Sequence, residues 1–162
     1  MKKVIVIGCP GAGKSTFARK LAKKTSLPLH YMDMIWHRPD RSNIGREALV
    51  EALSEITLGD EWIIDGNYLH SLPLRLDRCD MVFFFDLPLD VCLEGAIGRI
   101  GRPRVDMPWT DTEIDPEFRQ WIMDFPEKQL PVINDLLSHY AGRLNIVRFK
   151  SRDEADAYIS SL

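Results

Sequence analysis

Gly8-Cys9-Pro10-Gly11-Ala12-Gly13-Lys14-Ser15 constrains this chain more than any other stretch. It satisfies G-x-x-x-x-G-K-[ST], a pattern that carries weight only between a buried strand and a helix. Both neighbours are present. Val4–Ile7 is a β-branched, continuously apolar run, as expected of a strand covered on both faces in a parallel sheet. Beyond the motif, Phe17, Ala18, Leu21 and Ala22 recur at helical spacing, with Arg19, Lys20, Lys23 and Lys24 interleaved.

Such a loop suits phosphate for physical reasons. Its glycines let the backbone wrap an anion with N–H groups turned inward, and the helix beginning near Lys14 adds the positive end of its dipole. Lys14 brings a full charge to the β- and γ-phosphates. Ser15 offers a hydroxyl to Mg²⁺, which keeps several waters and needs few protein ligands. Gly8, Cys9, Pro10, Gly11, Ala12, Gly13, Lys14, Ser15 and Thr16 therefore form the expected nucleotide-binding segment, with ATP and Mg²⁺ as its cofactors. An ordinary glycine-rich helix cap would leave Lys14 unexplained. Thr16 reads as structural within that segment; Cys9 reads as a packing residue, although a thiol beside a helix N-terminus is also placed to become acidic.

The 162 residues suffice for one sizeable core and show no composition shift, so 1–162 reads as a single domain. Leu27–Met32 is expected as a short edge strand after Pro28, and Arg46–Leu58 as a helix stopped by Gly59. Trp62–Ile64 and Met81–Phe85 read as central strands, each followed by a carboxylate. Leu89–Ile100 resumes helical spacing until Gly98, Gly101 and Pro103 break it, leaving a basic loop. Asp115-Pro116 opens another helix, which Pro126 and Pro131 must kink or restart. Leu144–Phe149 is a last strand, and Ser151-x-x-Glu154 a capping box for the closing helix. Strands alternating with helices predict an α/β, three-layer α/β/α fold with a parallel sheet. Ligands gather at the carboxyl ends of such strands, so Gly8, Asp33, Asp65 and Asp86 should share one rim.

Asp65, at the end of an apolar strand, is the expected second anchor for the metal beside Ser15. Asp33 is placed to orient an acceptor hydroxyl or take its proton, or to cap its own loop. Asn67 and Tyr68, directly after Asp65-Gly66, would lie beside a polar acceptor, and Arg75 is a candidate anion clamp or a surface charge paired to Asp77. Phosphoryl transfer needs cations around the moving group, which makes Arg99 and Arg102 candidate catalytic residues with Lys14 and Asp33, and Arg104 a further cation on a lid at about 99–114. Asp86 reads as structural. Trp36, His37 and Trp109 fall in loops where they would line an acceptor pocket or pack a lid, and neither His37 nor His70 has a partner spacing that suggests catalysis.

Gly8–Ser15 together with Ile64-Asp65-Gly66 resembles the adenylate kinase-like small-molecule kinases over nearly the whole chain. His30-Tyr-Met-Asp33, Trp36, Trp62–Tyr68 and Trp121–Pro126 look more narrowly like the bacterial DNA topology modulation (FlaR-related) group. The resemblance implies a P-loop NTPase fold, a five-stranded parallel sheet in the order 2-3-1-4-5, a short lid, and transfer of phosphate from ATP-Mg²⁺ to a nucleotide or hydroxy metabolite. Asp-Gly-Asn-Tyr stands where adenylate kinases carry Asp-Gly-Phe-Pro-Arg, which argues against ordinary adenylate kinase activity. Arg99-x-x-Arg102-Pro103 is similar to the lid of shikimate-type kinases. The alternative is a nucleotide-binding regulator acting on DNA topology without kinase activity. A net charge of −3 gives a nucleic-acid backbone no electrostatic footprint. Three scattered cysteines support neither disulfides nor zinc, and no apolar run approaches membrane-spanning length. The expectations are a cytoplasmic location, no nucleic-acid or membrane partner, and a monomer, since lid closure needs free surface.

Overall fold

The computed structural model describes all residues, Met1–Leu162. Five parallel strands form one sheet: β1 (Lys3–Gly8), β2 (Leu29–Tyr31), β3 (Trp62–Asp65), β4 (Met81–Phe85) and β5 (Asn145–Phe149), in the order β2-β3-β1-β4-β5. The hydrophobic pattern explains that order. Val4–Ile7, Trp62–Ile64 and Val82–Phe84 are fully buried, whereas β2 and β5 retain exposure and lie at the edges. Register places Val6 opposite Asp65 and Gly8 opposite Phe85, so the phosphate-loop entrance and the β3 carboxylate end at the same level.

Eight helices complete the fold: α1 (Lys14–Thr25), α2 (Met32–Trp36), α3 (Arg46–Leu58), α4 (Leu72–Arg78), α5 (Leu89–Gly98), α6 (Pro116–Lys128), α7 (Leu130–His139) and α8 (Arg152–Ser161). One face of the sheet is covered by α1 and α8 through an aromatic cluster in which Phe17 meets Phe83, Phe85 and Phe149 edge-on at 4.8–5.4 Å.

The expected elements form with local differences. Met32 opens α2 instead of closing β2, and α5 ends at Gly98, short of Ile100. Pro126 is accommodated inside α6; the restart falls at Leu130, with Pro131 in the first turn of α7. Both helix-start signals act as expected: Asp115 accepts from the Glu117 N–H at 2.9 Å, and Ser151 Oγ from the Glu154 N–H at 3.2 Å. Helix α4 is new, because Pro73 and the short Leu72–Arg78 stretch give too little periodicity to declare it. No helix is long and apolar enough to cross a membrane.

Candidate functional site

The loop after β1 wraps so tightly that Gly8, Gly11 and Gly13 all take positive φ. A Cβ on Gly11 would lie 1.9 Å from the Cys92 carbonyl oxygen, so α5 packs directly against the loop. Lys14 donates to the Cys9 carbonyl at 3.0 Å, curling its ammonium across the loop. Burial lowers its pKa, with Asp65 opposing, so an anion arriving there restores what desolvation removes. The neighbouring Cys92 thiol and burial raise the pKa of the Cys9 thiol, which packs within the hydrophobic core.

Ser15 Oγ donates to Asp65 Oδ2 at 2.5 Å, joining the two residues expected to hold magnesium. The other carboxylate oxygen, Oδ1, is buried without a partner, an arrangement that favours a cation with its own water shell. Burial pushes the Asp65 carboxyl up to about 6, against the pull of Lys14 and Ser15.

Asp33 stands at the start of α2 and accepts from the Tyr68 hydroxyl at 2.7 Å. Burial, then Asp33, raises the Tyr68 pKa, so the phenol stays a donor. Asn67 follows β3, and its carboxamide is committed: Oδ1 accepts from Gly8 N at 2.9 Å and Nδ2 donates to Gly8 O at 2.8 Å. The side chain thus continues the β1–β3 ladder past its end.

Arg75 corrects the expectation of an anion clamp or surface pair. It is fully buried and donates to the carbonyls of Gly66, Asn67 and Tyr68. It holds the 66–68 turn through those carbonyls, and burial draws its pKa down to about 9. Asp77 instead pairs with Arg143 and Tyr140. As expected, Asp86 is structural, tying Arg148 and Lys150 at the end of β5.

Two cavities open on this rim. One, of about 470 Å³, runs past Gly11, Gly13, Thr16, Arg102 and Arg152. The other, of about 490 Å³, is bordered by Tyr31, Asp33, Arg46, Tyr68 and Trp121, with His37 and His70 on its wall. Lys14, Ser15, Arg99, Arg104 and Asp106 line both and form the partition between them. Arg99 lies over the Phe118 ring at 5.8 Å, and burial and Arg104 lower its pKa. The 99–114 segment reaches the second cavity's side of the rim: Trp109 packs edge-on against His37 at 5.0 Å and beneath the Arg41 guanidinium at 4.9 Å.

Two site residues escape sequence reasoning. Asp106 is 6% exposed and pairs with Arg104, but its neighbours Val105 and Met107 fit no motif. Arg152 donates to Gly11 O at 2.8 Å and Ala12 O at 3.3 Å, steadying the loop from 140 residues away, a contact no local motif signals.

The parallel sheet in the order β2-β3-β1-β4-β5, with helices on both faces, is the fold also seen in solved shikimate kinases. The chain is similar to shikimate kinase from Bacteroides thetaiotaomicron, at 17% identity and a TM-score of 0.65, covering 98% of this chain and 94% of that one. The Acinetobacter baumannii shikimate kinase, solved in complex with shikimate, gives 16% and 0.65 over 99% and 92%. The Aquifex aeolicus enzyme gives 17% and 0.61 over 98% and 91%. No protein-family model and no curated protein sequence matches.

Proposed function

We propose that this protein is an ATP-Mg²⁺-dependent phosphotransferase with a small-molecule acceptor. One observation carries the reading: a phosphate-loop cavity and an acceptor-sized cavity share a partition made of Lys14, Ser15, Arg99, Arg104 and Asp106. A phosphoryl group leaving the loop side would enter the other cavity across those residues. The loop amides and Lys14 hold the nucleotide phosphates. Ser15 and Asp65 hold magnesium, which when bound neutralises charge developing on the phosphate oxygens. Arg99 and Arg102 lie on the lid side and compensate the equatorial oxygens. Asp33, directed by Tyr68, orients the acceptor hydroxyl. That oxygen bonds to the γ-phosphorus as the bond to the β–γ bridging oxygen breaks, and its proton passes to Asp33.

The acceptor is a hydroxy metabolite or nucleotide small enough for about 490 Å³. Arg46 at the mouth suits an acceptor that also bears a negative group. The topology modulation resemblance enters as a phenotype of such an enzyme, acting as a monomer in the reducing cytoplasm that three free cysteines suit. ADP release across a panel of nucleoside monophosphates, nucleosides and hydroxy acids tests the reading, with Lys14→Ala as control. Acceptor-stimulated turnover that Lys14→Ala abolishes is expected. Absence of stimulation alongside tight, salt-sensitive DNA binding would establish the regulatory alternative.

A further inference from the structure

Asp106 has no place in that scheme, yet it occupies the partition itself. Its carboxylate meets Arg104 Nη2 at 2.7 Å and Arg104 Nε at 3.4 Å, with Arg19 Nη1 at 3.9 Å. The side chain is 8% exposed, so this anion is held almost dry among cations. It lies beside Ser15, Arg99 and Arg104, which line both cavities with it and are the groups a terminal phosphate would need.

We propose that Asp106 is a specificity-determining residue of the lid, whose carboxylate keeps the place of the transferring phosphoryl group and pairs the lid cations until a nucleotide's terminal phosphate displaces it. The proposal rests on the nucleotide half of the reading above. Its logic is electrostatic. Two anions cannot share one partially desolvated set of cations, so the carboxylate competes with a γ-phosphate while leaving the α- and β-phosphate positions on the loop untouched. A diphosphate binds with Asp106 still seated. Only a triphosphate frees Arg104 and Arg19 from their internal partner.

Calorimetric titration with ADP and with β,γ-imido-ATP, each with Mg²⁺ and with EDTA, distinguishes the possibilities. Asp106→Asn should bind the triphosphate analogue about tenfold or more tighter while ADP affinity changes less than threefold. Equal tightening for both ligands, no change, or weakening would overturn the proposal; weakening confined to Mg²⁺ would make Asp106 a cation ligand instead. Wild type that binds neither nucleotide would remove the nucleotide reading itself, a distinct outcome. Asp106→Ser offers the same test should the asparagine variant not fold. On the unaltered protein, amide exchange at residues 104–107 should respond to the triphosphate analogue and not to ADP, and identical responses would also overturn the idea.

Discussion

Asp65 and Arg75 are buried charges ten residues apart with opposite surroundings. The carboxyl of Asp65 titrates at about 6 in the native protein against 3.8 for the free group, because burial outweighs Lys14 and Ser15. The native state then binds the proton more tightly than the unfolded chain, so stability falls as pH rises from about 4 to 6 and is flat for this group above. The expected loss is on the order of 3 kcal/mol in metal-free protein. Urea unfolding in EDTA should show that slope in wild type and lack it in Asp65→Asn. Arg75 is buried with carbonyl partners instead of an anion, and its loss would leave three acceptors without their donor. Arg75→Met should cost about 3 kcal/mol, read as a lower urea midpoint, with the 66–68 turn loosened first. Asp65 is legible in the sequence as a carboxylate ending an apolar strand. Arg75 is not: an arginine two residues before Asp77 reads the same whether exposed or buried, and only the packing of α4 beneath the turn separates the cases.

At the level of elements, the phosphate loop is held from three sides. Asn67 at the end of β3 pairs both polar groups of Gly8, and Arg152 at the start of α8 caps the carbonyls of Gly11 and Ala12. Helix α5 presses on it through Gly95, where a Cβ would meet Gly11 O at 2.1 Å. That contact leaves no flexible side chain to yield. Gly95→Ala should therefore destabilise the protein by about 2 kcal/mol and weaken ADP binding at least tenfold, measured by thermal unfolding and calorimetry. Helix propensity alone predicts the reverse, since alanine is the better helix former. A neutral or stabilised variant would show that α5 stands off the loop.

Over the whole molecule, the 99–114 segment reaches across the rim by setting Trp109 against His37 and Arg41. On the proposed function, this contact would help hold the segment over the acceptor cavity. Trp109→Ala should speed ADP release about tenfold and raise acceptor-independent ATP hydrolysis, while changing the unfolding midpoint little because Trp109 lies outside the core. Stopped-flow release of a fluorescent ADP analogue provides the measurement. By itself the sequence determined the βα unit around Gly8–Ser15, the parallel α/β class, the capping of α6 and α8, and the carboxylate at β3, because each follows from local periodicity, steric demand or charge within a few residues. Only the tertiary structure decided that Asn67 serves the loop more than a ligand, that Arg75 is interior, and that Asp106 stands in the partition with Arg104 and Arg19. Those assignments depend on which distant atoms desolvate and satisfy a side chain, and that partnership is set by packing across the sheet rim, not by neighbours in the chain.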